Sequence, residues 1–150
     1  MSLRVLVTGG SGYIGSHVVD ALLEHGHVPI NFDRVASPHH PRGSVEHIKG
    51  DCTNVAALER ALETCDAVIH LAAMADVNDV QADPVGADEM NAHATAAVLE
   101  GARRAEIGRV VYGSTIWAYS DCPESEVDED TRLAHPSQLY TATKLAGEMY

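Results

Sequence analysis

Gly9, Gly12 and Gly15 stand directly after a short apolar run and directly before a helical repeat, all within the first fifteen residues. The run over 4–8, Arg-Val-Leu-Val-Thr, has the unbroken apolar character of a strand buried on both faces. After it, Ile14, Val18, Val19, Leu22 and Leu23 recur at helical spacing until Gly26 stops the helix. The turn TGGSGYIG over 8–15 fits GxxGxxG through Gly9, Gly12 and Gly15, and GxGxxG through Gly10, Gly12 and Gly15. Side chains there would block the tight turn, the approach of a pyrophosphate and the contact of helix with strand. Free N–H groups and the positive end of the helix dipole then hold phosphate. Glycine-rich turns also serve as plain connections. This one opens a strand–turn–helix unit, which points to dinucleotide binding.

The rest of the chain repeats the alternation. Strands are expected over 28–33, with Pro29 near its start, over 45–50, over 67–73 and over 109–113. Helical patterns run over 53–64, from Asp83-Pro84 to about residue 106 as one long helix, and from about 137 to 150. Residues 35–45 and 122–136 read as loops, and the acidic run over 124–130 as a solvated one. Strands alternating with helices specify a doubly wound α/β fold, a parallel sheet of about five strands with helices on both faces. No repeat or linker divides the 150 residues.

Ten Lys and Arg face 22 Asp and Glu, a formal net charge of −12. Such a surface repels phosphate backbones and anionic lipid, so neither nucleic acid nor a membrane is the expected partner. No apolar run approaches a bilayer span, and the first residues enter a strand pattern without a leader. Cys52, Cys65 and Cys122 have no metal or disulfide spacing and read as reduced thiols. Together these features point to a cytoplasmic chain. His39, His40 and His47 cluster near one loop without a completing ligand, so no metal site is expected.

Asp33 closes the second strand, where an acid accepts the ribose hydroxyls of an adenosine and repels a 2′-phosphate. NAD is therefore expected over NADP, although Arg34 beside it could accommodate that phosphate. Tyr140 and Lys144 lie four residues apart, on one face of the last helix. The fifth strand ends in Gly113-Ser114-Thr115, bringing hydroxyls to the carboxyl edge of the sheet, where ligands of open α/β folds bind.

On these motifs, with GD at 50–51, HLAA at 70–73, the Asn91 region, STIWAYS at 114–120 and YTATK at 140–144, the sequence resembles the extended short-chain dehydrogenase/reductases. These are NAD-dependent epimerases and dehydratases of nucleotide sugars with a Rossmann cofactor domain, and the wording is most similar to the UDP-glucose/UDP-galactose 4-epimerases. The resemblance implies that Tyr140 exchanges a proton with the substrate hydroxyl and that Lys144 stabilises the phenolate and bonds the nicotinamide ribose. It implies that Thr115 orients the hydroxyl, with Ser114 the lesser candidate. Gly9, Gly12, Tyr13, Ile14 and Gly15 would receive the pyrophosphate, Asp33 and Arg34 the ribose, and Asp51 and Cys52 the adenine. Leu71, Ala72 and Ala73 would pass beneath the cofactor, with Asn91 behind Lys144.

Some of these residues have a structural reading as well. Asp51 could cap the following helix, and Ala72 and Ala73 could be small so that helices close on the sheet.

The implied activity is NAD-dependent epimerisation through transient hydride transfer and a keto-sugar intermediate. A reductase of a keto-sugar or small carbonyl compound, and a non-catalytic dinucleotide-binding module, are the alternatives. Ile116 and Trp117 stand where the 4,6-dehydratases carry Asp-Glu, which disfavours dehydration. Ala75 stands where the 4-epimerases usually carry Lys, so one substrate or cofactor contact of that group is absent. The resemblance also implies a homodimer through the helices at about 83–106 and 137–150. It implies that residues 1–150 are the N-terminal, NAD-binding portion of a longer enzyme whose substrate domain follows, so that the 150 residues alone are poorly active.

Overall fold

In the computed structural model, which describes residues 1–41 and 43–150, five strands form one parallel sheet. Position 42, inside the loop expected over 35–45, lies outside the described residues. The strands are β1 (Arg4–Thr8), β2 (Val28–Asp33), β3 (Glu46–Lys49), β4 (Ala67–His70) and β5 (Val110–Tyr112). Their order is β3-β2-β1-β4-β5 and every neighbouring pair is parallel. The winding reverses between β1 and β4, which leaves a crevice at the carboxyl ends of those two strands. This is the doubly wound Rossmann architecture that the alternation predicts.

Alternate residues of the strands feed two cores. Leu6, Ile30, Phe32 and Val68 pack with Leu58, Leu62, Ala97 and Val98, which come from α2 (Val55–Leu62) and α5 (Ala94–Arg104). Val5, Val7 and Ala67 face the other way, onto Val19 of α1 (Tyr13–Glu24). The α1 core takes in Ile69 and Leu71 as partly buried neighbours but not Val111 of β5, which is 51% exposed. No helix among the described residues is long and apolar enough to cross a membrane.

Several expectations change in detail. The single long helix from Asp83 to about residue 106 is three segments: α4 (Pro84–Asp88), a π turn (Glu89–His93) and α5. Met90, Asn91 and Ala92 are all buried. An ordinary helix rotates about 100° per residue, and the widened turn rotates less, which brings these three successive residues onto a narrower arc. A short α3 (Val77–Ala82) was not expected; Asp76 caps it by accepting the Asn78 N–H at 2.8 Å. It buries only Val80, too little for a readable period.

Asn54, not Asp51, caps α2, accepting the Ala57 N–H at 3.1 Å. Asp51 instead turns on itself, accepting the Thr53 N–H at 2.9 Å and the Thr53 hydroxyl at 2.8 Å. The last helix, α6 (Leu139–Glu148), is shorter than the expected 137–150.

Candidate functional site

A cleft of about 430 Å³ opens at the β1/β4 crevice. One wall is the glycine turn, with Gly9, Gly12, Tyr13, Ile14 and Gly15 all lining it. Gly9 has φ +71°, and a Cβ on it would lie 2.8 Å from the Ala72 nitrogen. A Cβ on Gly15 would fall within 2.1 Å of the Gly9 carbonyl oxygen and 2.7 Å of Gly10 Cα. Both obstacles are backbone, so side chains are excluded by the close approach of helix, turn and neighbouring strand. Gly12 is the N-cap of α1 and supplies no capping side chain, nor is there an acid in the first turn. Among the described residues the N–H groups of Tyr13 and Ile14 meet no protein acceptor. Two donors and the positive helix end therefore face the cleft unneutralised.

At one end of the cleft, Phe32, Asp33, Arg34, Gly50 and Cys52 line the wall. The Asp33 carboxylate is oriented by the Ser11 and Val35 N–H groups, each at 3.1 Å. Arg34 leans toward Asp51, with 3.9 Å between Nη1 and Oδ2. Asp51 itself does not line the cleft, contrary to the expectation that it would; its two flanking residues do. Cys52 is buried, and burial pushes its thiol up to about 12, so it is a packing residue and no nucleophile at neutral pH.

The floor is Leu71, Ala72 and Ala73, with Ala75 beyond them. A buried relay fixes it. The Thr95 hydroxyl donates to the Asn91 carbonyl at 2.6 Å, so it accepts from His70 Nε2–H at 3.1 Å. That assigns the tautomer: Nδ1 of His70 is the acceptor, and the Thr8 hydroxyl donates to it at 2.6 Å. Thr8 Oγ1 in turn accepts the N–H groups of Leu71 at 3.1 Å and Ala72 at 3.3 Å.

Burial, and next the charge of Lys144, lower the His70 pKa to about 4. Because the unfolded chain takes up this proton near 6.5, stability present above that pH is lost as pH falls from about 6.5 to about 4. The loss is about 3 kcal/mol. Urea denaturation at successive pH values should show this slope, and His70→Gln should flatten it.

Tyr140, Lys144, Gly113 and Ser114 close the other end. Lys144 is only 3% exposed; burial lowers its ammonium to about 8, partly opposed by Glu148 one turn on. Its Nζ lies 4.4 Å from the centre of the Tyr112 ring. Ser114 donates to the Glu148 carboxylate. Thr115, expected to be catalytic, does not line the cleft; its hydroxyl caps a 3₁₀ turn (Ile116–Tyr119) and accepts the Trp117 N–H at 3.2 Å.

Asn91 is likewise outside the lining, while its neighbour Met90 is part of it. The Asn91 amide holds Met74 through both backbone groups, at 2.7 Å and 3.1 Å, and donates to Thr143 at 3.0 Å. Thr143 then donates to the Tyr140 carbonyl at 2.8 Å. The π turn thus aims Asn91 at α6, and it steadies the helix carrying Tyr140 and Lys144.

Phe32, Gly50, Ala75, Met90 and Gly113 were missed from sequence. A small residue where a strand leaves the sheet was the available signal for Gly50 and Gly113. Ala75 stands at a position that the resemblance already tied to a contact in the 4-epimerases, whereas Phe32 and Met90 carry no signal.

The profile of the NAD dependent epimerase/dehydratase family matches residues 5–150. A 3-beta-hydroxysteroid dehydrogenase of Mycolicibacterium neoaurum is 31% identical over 98% of this chain and 42% of its own length. A UDP-glucose 4-epimerase of Rhizobium leguminosarum bv. trifolii is 34% identical over 93% of this chain and 43% of its own length. The crystal structure of the Thermus thermophilus UDP-glucose 4-epimerase in complex with NAD superposes with a TM-score of 0.88 at 35% identity, over 99% of this chain and 49% of that one. The chain spans just under half the length of these relatives. The family match covers nearly all of the chain and the backbone superposes on a solved epimerase along almost its whole length; the chain belongs to the NAD dependent epimerase/dehydratase family.

Proposed function

We propose that the chain is the NAD-binding portion of a nucleotide-sugar epimerase that acts on a UDP-sugar at C4. The observation that carries this is a single cleft joining a glycine cradle and Asp33 at one end to Tyr140 and Lys144 at the other. The residues fit the cofactor: a Cβ at Gly9 or Gly15 would strike backbone, and the free Tyr13 and Ile14 N–H groups suit a pyrophosphate. The oriented Asp33 carboxylate suits ribose hydroxyls, and the lean of Arg34 toward Asp51 favours NAD over NADP.

When bound, NAD supplies a hydride acceptor that returns the hydride within the same turnover. Tyr140 takes the proton of the sugar hydroxyl and gives it back, and the Lys144 charge stabilises its phenolate. Ser114 at the cleft, with Thr115 behind it, supports the substrate oxygen. Ile116 and Trp117 have no acid or base to exchange a proton and leave no acid–base pair for elimination.

The short coverage of the relatives and the exposed Val111 on the α1 side of the sheet support a further, substrate-binding part of the enzyme beyond these residues. A homodimer through α4–α5 and α6 belongs to the same reading.

The steroid dehydrogenase relative favours a second reading, a dehydrogenase with the same Tyr140 and Lys144 that releases reduced cofactor. Cofactor use separates the two. The full-length protein should interconvert UDP-glucose and UDP-galactose with no added cofactor and no accumulating NADH. Stoichiometric NADH formation would establish the dehydrogenase, and loss of the epimerase.

A further inference from the structure

Lys144 enters the cleft from α6, yet the surface that carries its ammonium belongs to β5. Gly147, one turn beyond Lys144 on α6, has no side chain because a Cβ there would come within 2.5 Å of the Tyr112 hydroxyl oxygen. That gap lets the Tyr112 ring slide beneath the helix. Its hydroxyl donates to the Lys144 carbonyl at 3.1 Å, and its face takes the Lys144 Nζ at 4.4 Å. The His70 ring stacks against that of Tyr112, with centres 5.8 Å apart and planes inclined by 27°. His70 cannot shift, because Thr8 and Thr95 hold its two nitrogens.

We propose that Tyr112 is a positioning residue for Lys144: its ring, held by stacking with His70, is the platform on which the ammonium rests at the catalytic end of the cleft. This rests on the reading of Lys144 as a cofactor and phenolate partner, and adds to it the residue that places Lys144.

The physical case is one of desolvation. A buried ammonium needs compensation, and an aromatic face is one of the few apolar surfaces that supplies it. The charged or titratable groups around it are Glu148 on α6, Tyr140 on α6 and neutral His70 on β4. None of these forms an ion pair with Lys144 among the described residues. Tyr112 therefore fixes where the charge sits before any cofactor arrives. The hydroxyl serves a second purpose, tying β5 to the backbone of α6 at Lys144 itself.

NMR of the 150-residue chain tests this directly. In the wild type, the Lys144 Hε protons should be displaced upfield by the Tyr112 ring current, a signature that needs no variant. Lys144 Hε protons at the ordinary lysine position would overturn the proposal. Tyr112→Phe should keep the upfield shift and a Lys144 titration near 8. Tyr112→Leu keeps the site apolar but removes the ring face, so the shift should vanish and the titration should drop by about one pH unit. NAD affinity at pH 8 should fall about tenfold in Tyr112→Leu and be restored by Phe. Equal loss in both variants would assign the effect to the hydroxyl and overturn the platform. A wild-type chain with the ring-current shift but no NAD binding would sink the functional reading and leave the platform standing.

Discussion

Replacing Gly15 by alanine is expected to abolish measurable NAD binding and to lower the melting temperature together. The new methyl would meet the Gly9 carbonyl oxygen at 2.1 Å, so helix α1 or the turn has to move. Overpacking against backbone costs roughly 3 kcal/mol at the upper end of its usual range. In a chain of this size that is a fall of about 6–12 °C. The same movement misaligns the Tyr13 and Ile14 N–H groups. Two lost charge-assisted bonds to phosphate correspond to about 100-fold in affinity or more. Gly12→Ala is the contrast: its methyl meets only the Gly9 carbonyl oxygen, at 3.3 Å. That variant should melt close to the wild type while still losing cofactor affinity, because the methyl enters the phosphate position. Calorimetric titration and thermal denaturation of both variants check the pair.

The second large effect is on turnover. On the proposed reading, Tyr140→Phe in the full-length protein removes the phenol beside Lys144 at the cleft and should cut kcat by about 10²–10⁴-fold. NAD affinity should stay within about tenfold, since one neutral hydrogen bond is the most that is lost. The helix itself should persist. Thr143 bonds the Tyr140 backbone carbonyl, and Asn91 bonds Thr143, so neither anchor involves the phenol. A variant with near-normal interconversion of the UDP-sugars would remove Tyr140 from the chemistry.

The sheet and the cofactor cradle were legible because both rest on local signals. Apolar runs closed by glycine or aspartate mark β1, β2 and β5, and a glycine triplet has few other uses between a strand and a helix. What was not legible depended on contacts distant in sequence. The π turn places the successive residues 90–92 in the interior, where Asn91 meets Thr143 of α6, and a helical period cannot reveal that. Asn54 and Asp51 are both helix-cap residue types, and only the chain path decides that Asn54 caps α2 while Asp51 bonds Thr53.

Thr115 and Ser114 are both hydroxyls at the end of β5. Their division of labour follows from the 3₁₀ turn after them, which draws the Thr115 side chain to Trp117. Tyr112 and Gly147 lie far apart in sequence and gave no joint signal. Family resemblance located Lys144, but the surface on which it lies came only from the fold.

One cleft must serve both ends of one NAD molecule if the proposed function holds. Titration of the 15N-labelled chain with NAD, followed through its amide resonances, tests this most directly and tolerates weak binding. Saturable shifts are expected at Tyr13 and Ile14 in the cradle, at Leu71 and Ala72 on the floor, and at residues flanking Tyr140 and Lys144. NADP should produce the same pattern only at higher concentration. Shifts confined to one end, or none at millimolar NAD, would contradict it.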